Sequence, residues 1–135
     1  ITEFSDYGGE LATNALLDLD QPPSAILCIS DMVALGALAA IRARGLTPGR
    51  DISVIGYDGL KFGQHANPPL TTMAQPQVHA RRLSGHFLLS TIDGGDPLDF
   101  QDLQCSHLLL RKSDGPFVQT SQNTTSNWED DNETY

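Results

Sequence analysis

Apolar residues recur every three to four positions in three stretches of the chain and run without interruption in shorter ones. The first spacing is typical of helices with one buried face, and the second of strands within a sheet. Helices are predicted at about residues 6–19, 31–44 and 77–91. Strands or extended segments are predicted at 25–29, 51–57, 70–73 and 105–110. The run at 25–29 predicts a strand covered on both faces. Strand, helix and strand in succession over residues 25–57 predict a parallel βαβ unit and an α/β fold.

Two of the predicted strands end in polar residues, Ser30-Asp31 after the first and Gly56-Tyr57-Asp58 after the second. Ligands of open α/β sheets bind in the crevice outside the carboxyl ends of the strands. Asp31 and Asp58 are therefore both expected to face that crevice. Asp31 also stands where a helix begins, so its alternative role is to cap that helix.

Composition and charge narrow the possible functions. The chain has 135 residues, enough for one domain, and a net charge of -9. Because nucleic-acid binding needs clustered Lys and Arg, this segment is not expected to contact DNA. No stretch is long and apolar enough to span a membrane, and the amino terminus lacks a signal-peptide pattern.

Candidate chemistry is sparse. Cys28 and Cys105 are isolated and are expected to be buried, reduced thiols. His79 and His86 lie two helical turns apart, too far to share a metal ion, and are expected on a solvated helix face. No nucleophile elbow, phosphate loop or paired-cysteine zinc pattern is present. We therefore expect no enzyme activity, no metal and no cofactor.

Residues 113–135 differ in composition from the rest of the chain. They contain no Lys or Arg, five acidic residues and few apolar ones. Such a segment buries too little apolar surface to offset the entropy of ordering. We expect a folded region at residues 1–112 and a disordered acidic tail at 113–135.

Four motifs occur together in a specific order and spacing. They are Pro23–Ile26, Ser30–Ala37, Asp51–Asp58, and Pro68–Thr72 followed by Gln75-Pro76. In this combination the chain resembles the carboxyl-terminal part of the effector-binding sensor in the LacI/GalR family of bacterial transcription regulators. The resemblance implies a Rossmann-like parallel sheet flanked by helices, of the type I periplasmic-binding-protein-like kind, incomplete in this chain.

The resemblance also implies a division of the chain. Residues 1–74 and 105–112 correspond to the carboxyl-terminal subdomain, and 75–104 to a crossover toward the amino-terminal subdomain. The chain starts at Ile1, without Met, and the opposite wall of the effector cleft is expected to precede it. An apolar face on the helix at 77–91 is then expected to lack its partner. The isolated chain should therefore be marginally stable, associate through non-native contacts, or be a truncated part of a longer protein.

Site residues follow from the resemblance, position by position. Asp58 matches the carboxylate that accepts hydrogen bonds from the effector; its alternative role is to cap the following turn. Ser30 stands where relatives usually have Asn. Phe4 matches a ring-stacking aromatic, with core packing as its alternative. Gln77 either binds effector or points to solvent, and Asp31 is a further candidate contact or a helix cap.

The resemblance further implies a homodimer. Its interface is expected at Met32, Leu35, Gly36, Ala39, Phe62 and Ala66, although these small side chains would equally suit packing within one chain. The implied function is a cytoplasmic regulator that binds a sugar-like or nucleobase-like effector between two subdomains and thereby changes its affinity for operator DNA. DNA contact is expected only through an amino-terminal helix-turn-helix domain outside this chain. The alternative is a fragment of a periplasmic sugar-binding protein of a transporter.

Overall fold

A computed structural model describes residues 3–96 and 102–116. In these residues four strands form a single sheet, namely β1 (Ala25–Leu27), β2 (Ser53–Asp58), β3 (Thr71–Ala74) and β4 (His107–Leu109). The helices are α1 (Asp6–Leu17), α2 (Asp31–Ala43) and α3 (Gln77–Ile92), with a short 3₁₀ helix at Lys61–His65.

The strand order in the sheet is β1-β2-β3-β4. The first three strands are parallel, with Leu27 beside Ile55 and Asp58 beside Ala74. β4 runs antiparallel to β3 at the other edge. The predicted parallel α/β fold is confirmed. The segment at 70–73, expected only as a short extended piece, is an internal strand of the sheet.

One face of the sheet carries the hydrophobic core. Side chains of α2 pack there against β2 and neighbouring residues, and the buried cluster comprises Cys28, Ala34, Ala37, Leu38, Ile41, Ile52, Val54 and Leu70. On the other face Leu27 is 73% exposed. The expectation that the strand at 25–29 is covered on both faces is therefore wrong for the described residues. The reason is that α1 packs chiefly against α2, not across the sheet.

Glycines allow α1 and α2 to pack closely. A Cβ added at Gly36 would lie 1.8 Å from the Asp6 carbonyl oxygen, and one at Gly9 would lie 2.1 Å from the Val33 carbonyl oxygen. At the far ends of the helices, Arg44 forms a 2.7 Å ion pair with Asp18. Contacts therefore join the first halves of the two helices to each other and the residues at their last turns to each other, so α1 and α2 run in the same direction.

The segment after β4 returns between the starts of β2 and β3. Ser113 is 0% exposed; its Oγ accepts a hydrogen bond from the Thr71 amide (2.8 Å) and donates one to the Val54 carbonyl (2.6 Å). The Gly115 amide donates to the Ser53 hydroxyl at 3.1 Å. The folded region therefore extends beyond the expected boundary after Lys112, because these polar groups complete the sheet's hydrogen bonding. Residues 117–135 of the expected tail lie outside the described residues.

α3 follows β3 and was predicted over nearly the same residues. None of its residues is buried. Its exposed apolar side chains are Val78, Leu88, Leu89 and Ile92. Half-buried Leu83 and Phe87 line a pocket together with Asp102 and Gln104. The exposed apolar side chains have no covering partner in the described part of the chain, and the assignment of α3 as a crossover between subdomains stays a prediction. No helix among the described residues is long and apolar enough to cross a membrane.

Candidate functional site

An open groove of about 620 Å³ lies beyond the carboxyl ends of β2 and β3. Parallel pairing sets Asp58, the last residue of β2, beside Ala74, the last residue of β3. The chain then leaves both strands at the same edge of the sheet. Polar and charged residues lining the groove are Asp58, Lys61, Gln75, Gln77, His79 and Arg81.

Asp58 has the most unusual backbone of this groove. Its φ is +131°, a conformation that side-chain-bearing residues rarely adopt. Its carboxylate Oδ1 accepts a hydrogen bond from Gln75 Nε2 (3.1 Å), and its carbonyl oxygen accepts one from Gln77 Nε2 (3.3 Å). Since each carboxylate oxygen has two acceptor sites, Asp58 retains capacity to accept further hydrogen bonds. Strained backbones of this kind cluster at ligand sites.

The structure places Asp31 elsewhere than expected. Its side chain is fully buried, where Oδ2 accepts from the Leu60 amide (2.7 Å) and Oδ1 from the Thr72 hydroxyl (2.5 Å). It cannot contact a ligand in the crevice, and it does not cap the helix, because Ser30 does so. Asp31 is the first residue of α2, and its carboxylate lies against β2 at Gly56, where a Cβ would come within 2.3 Å of Oδ1.

Of the other predicted site residues, Gln77 lines the groove, whereas Ser30 and Phe4 are not among its lining residues. The Ser30 Oγ accepts a hydrogen bond from the Val33 amide at 3.2 Å, which leaves its hydroxyl proton to donate. Phe4 is 77% exposed, which excludes core packing within the described chain. Because α1 and α2 run in the same direction, Phe4, just before α1, lies at the same end of the fold as Ser30. Gln77 is hydrogen bonded to Asp58.

Sequence reasoning missed several residues of the groove. Gln75 belongs to a motif that was used only to identify the family, although a polar residue directly after a strand of a parallel sheet is itself a signal. Lys61 and Arg81 add positive charge beside Asp58. Thr72 is hidden in the sheet, and nothing in its local sequence indicates that it contacts Asp31.

Two further groups have defined environments. Burial, assisted by the negative charge of Asp31, raises the pKa of the Cys28 thiol to about 11. Cys105 is exposed, so the expectation that both cysteines are buried is wrong for Cys105. His79 Nε2 lies 3.7 Å from Asp102 Oδ2. Within residues 3–96 and 102–116 no group of three or more His, Cys, Asp or Glu side chains is arranged to hold a metal ion.

The predicted interface residues divide into two groups. Met32 and Phe62 are exposed. Gly36 is buried under α1 in the same chain, and its assignment to an interface between chains stays a prediction. Leu35 and Ala66 are half-buried and pack against the core. Ala39 is half-buried and, together with Leu35 and Gly36, lines an open groove beside α1. Whether these small residues of α2 serve an interface between chains or packing within the chain stays open.

Comparisons with known proteins add to this geometry. Residues 2–113 match the model of the family described as periplasmic binding protein-like domain. The chain is 39% identical over 111 residues to the HTH-type transcriptional repressor CytR of Escherichia coli K12, covering 82% of this chain and 33% of that protein. It thus spans about a third of the length of the curated relatives it matches.

Two solved structures have the same fold. The chain is 33% identical, with a TM-score of 0.75, to a Lac repressor dimer bound to operator and the anti-inducer ONPF; the match covers 85% of this chain and 40% of that one. It is 27% identical, with a TM-score of 0.72, to a LacI family transcriptional regulator from Enterococcus faecium with bound ribose; here 87% of this chain and 43% of that one are covered.

Proposed function

Because the chain belongs to the periplasmic binding protein-like domain family, in the form found in LacI-family repressors, we propose that its groove is one wall of an effector site. The proposal rests on the position and surroundings of Asp58. Its carboxylate stands at the carboxyl end of β2, in a rare backbone conformation, with Gln75 and Gln77 hydrogen bonded to it. Such a set of acceptors and amide groups suits a small molecule rich in hydroxyl or N–H groups.

A sugar-like or nucleobase-like ligand is supported by Asp58, which lines the groove, and by Ser30 and Phe4, which are proposed to reach the same ligand. Asp58 accepts hydrogen bonds, Ser30 donates one, and the exposed ring of Phe4 offers a flat apolar surface for stacking. The structure from Enterococcus faecium holds ribose. Ribose is therefore the first ligand to test.

A regulator is favoured over a transporter's binding protein, because the curated relative is named a transcriptional repressor and a solved relative is a repressor dimer on operator. On this proposal the whole protein is a cytoplasmic homodimer and reads DNA through a helix-turn-helix domain. Met32 and Phe62, both exposed, are the best placed of the predicted interface residues. No catalytic step and no cofactor is part of this proposal.

The proposed mechanism is a shift between conformations. An effector that binds one relative orientation of two subdomains more tightly than the other increases the population of that orientation. The dimer then transmits the change to the DNA-binding domains. A ligand with equal affinity for both orientations would change nothing.

The test is an NMR titration of the ¹⁵N-labelled chain with ribose, lactose and adenine at millimolar concentrations, which detects weak binding. We expect one ligand class to shift the backbone amides of Asp58, Gln75 and Gln77. Asp58→Asn keeps the size of the side chain but removes its charge, and should weaken binding by about 10-fold. Asp20→Asn removes the same charge at an exposed site and should leave binding unchanged.

The outcomes separate clearly. Shifts that saturate at the same ligand concentration in the wild type and Asp58→Asn would show that the ligand binds elsewhere. Absence of shifts with all three ligands would refute the groove as a binding surface of this chain. Loss of binding in both variants would indicate a general charge effect instead of a role for Asp58.

A further inference from the structure

A buried carboxylate needs compensation for its lost hydration. Asp31 is 0% exposed, and among the ion pairs of the described residues none involves it. Its charge is stabilised by two hydrogen bonds and by its place in the first turn of α2, where the helix dipole favours a negative charge. Because two hydrogen bonds fix its position, the Asp31 carboxylate can in turn fix the positions of the groups that donate to it.

The groups that Asp31 holds are adjacent to Asp58. Oδ2 accepts directly from the amide of Leu60, two residues after Asp58. Oδ1 accepts from the Thr72 hydroxyl, and the same Thr72 oxygen accepts from the amide of Gly59 at 3.3 Å. Asp31 and Thr72 together therefore fix both amides that follow Asp58.

The backbone of the turn after Asp58 has an unusual conformation and packs closely against β3. Gly59 has a φ of +75°, and a Cβ there would lie 2.5 Å from the Cβ of Ala74. Asp58 itself has a φ of +131°. Two consecutive residues with positive φ persist only where neighbouring contacts hold them, since each non-glycine example costs about 1–3 kcal/mol.

We propose that the buried Asp31–Thr72 pair is a positioning element that sets the backbone of Asp58, and so aims its carboxylate into the groove. This inference rests on the proposed ligand role of Asp58. It assigns Asp31 a function different from the direct ligand contact or helix cap that the sequence suggested. It also explains Gly56, because any larger residue there would collide with the Asp31 carboxylate.

The strand supplies a matched control for the test. Thr71 and Thr72 are neighbours on β3 and both are 0% exposed. The Thr71 hydroxyl accepts from the Arg111 amide at 2.8 Å and donates to the Asp114 carboxylate, away from the Asp58 turn. Thr71→Val and Thr72→Val thus remove the same hydroxyl from equally buried sites, and only the second touches the turn.

The experiment combines three measurements on the full 135-residue chain: amide hydrogen exchange at Gly59 and Leu60, the half-saturating ribose concentration, and the urea midpoint. Thr72→Val should speed exchange at the two amides by about 10-fold and weaken ribose binding by about 10-fold. Thr71→Val should lower the urea midpoint comparably while leaving exchange at those amides and ribose binding within about twofold of wild type. Thr72→Ser, which keeps the hydroxyl, should restore both.

The possible results test the two proposals separately. Equal effects of Thr71→Val and Thr72→Val on ribose binding would refute positioning and leave only a structural role. Unchanged exchange at Gly59 and Leu60 in Thr72→Val would also refute it. If the wild type does not bind ribose, the exchange measurement still decides the positioning, while the proposed function loses ribose as its ligand. Should Thr72→Val not fold, Asp31→Asn, which keeps the volume and one acceptor oxygen, is measured in the same way.

Discussion

The close approach of α1 and α2 at Gly36 gives the sharpest test of the packing. In Gly36→Ala the new methyl group would lie 1.8 Å from the Asp6 carbonyl oxygen and 2.7 Å from the Glu10 amide nitrogen. Both obstacles are backbone atoms, so no side chain can rotate away. To restore an ordinary contact of 3.4 Å, α1 must move by about 1.6 Å relative to α2.

The loss of stability expected for Gly36→Ala can be estimated. Overpacking a close-packed site costs about 1–3 kcal/mol, and a rigid backbone obstacle places Gly36→Ala at or above the upper end. With a urea dependence of about 1–3 kcal/mol per molar for a small protein, the midpoint should fall by about 1–2 M. The assay is urea unfolding followed by circular dichroism at low protein concentration, with self-association checked by sedimentation.

Gly85→Ala is the matched control. Gly85 lies within α3, and a Cβ there would meet no atom within 4 Å. The same substitution should favour the helix by about 0.5–1 kcal/mol. An unchanged urea midpoint for Gly36→Ala would refute the α1–α2 packing described above. A change in self-association without a change in the urea midpoint would support the predicted position of Gly36 at an interface between chains.

Three further predictions concern Ser113 and the two cysteines. Ser113→Ala removes hydrogen bonds to Thr71 and Val54 and should cost about 1–3 kcal/mol in urea unfolding; an unchanged midpoint would place Ser113 in a disordered tail. At pH 8 iodoacetamide should modify the exposed Cys105 far faster than Cys28. Because the folded pKa of Cys28 is about 11 against 9.0 unfolded, stability is full below pH 9 and should fall by about 2–3 kcal/mol by pH 11, a loss that Cys28→Ala lacks.

The spacing of apolar residues along the chain was enough to predict most of the secondary structure. The helix predicted at 77–91 is α3 at Gln77–Ile92, and the strand predicted at 51–57 contains most of β2. The β2 prediction succeeds because an apolar run reports a strand within the sheet. The α3 prediction succeeds because its apolar residues recur at helical spacing, although none of the residues of this helix is buried in the described chain. The final strand is shorter than predicted, His107–Leu109, since edge pairing with β3 involves three residues and the chain then turns inward.

The candidate site was predicted unevenly. Asp58 was found because it ends a strand of a parallel sheet, a position that sequence order alone reveals. Asp31 matches the same pattern and yet is buried, because a residue one place inside the helix turns back toward the sheet. Gln75 was passed over as a site residue, although it hydrogen bonds the Asp58 carboxylate at 3.1 Å.

By itself the sequence determined the parallel α/β order, the family and the edge of the sheet at which the candidate groove lies. Only the tertiary structure decided which polar residues face that edge. Asp31 and Thr72 are 41 positions apart, and Ser113 reaches Val54 across 59. The physical reason is that burial and hydrogen bonding depend on partners distant in the chain, whereas periodicity records only each element's own inward face.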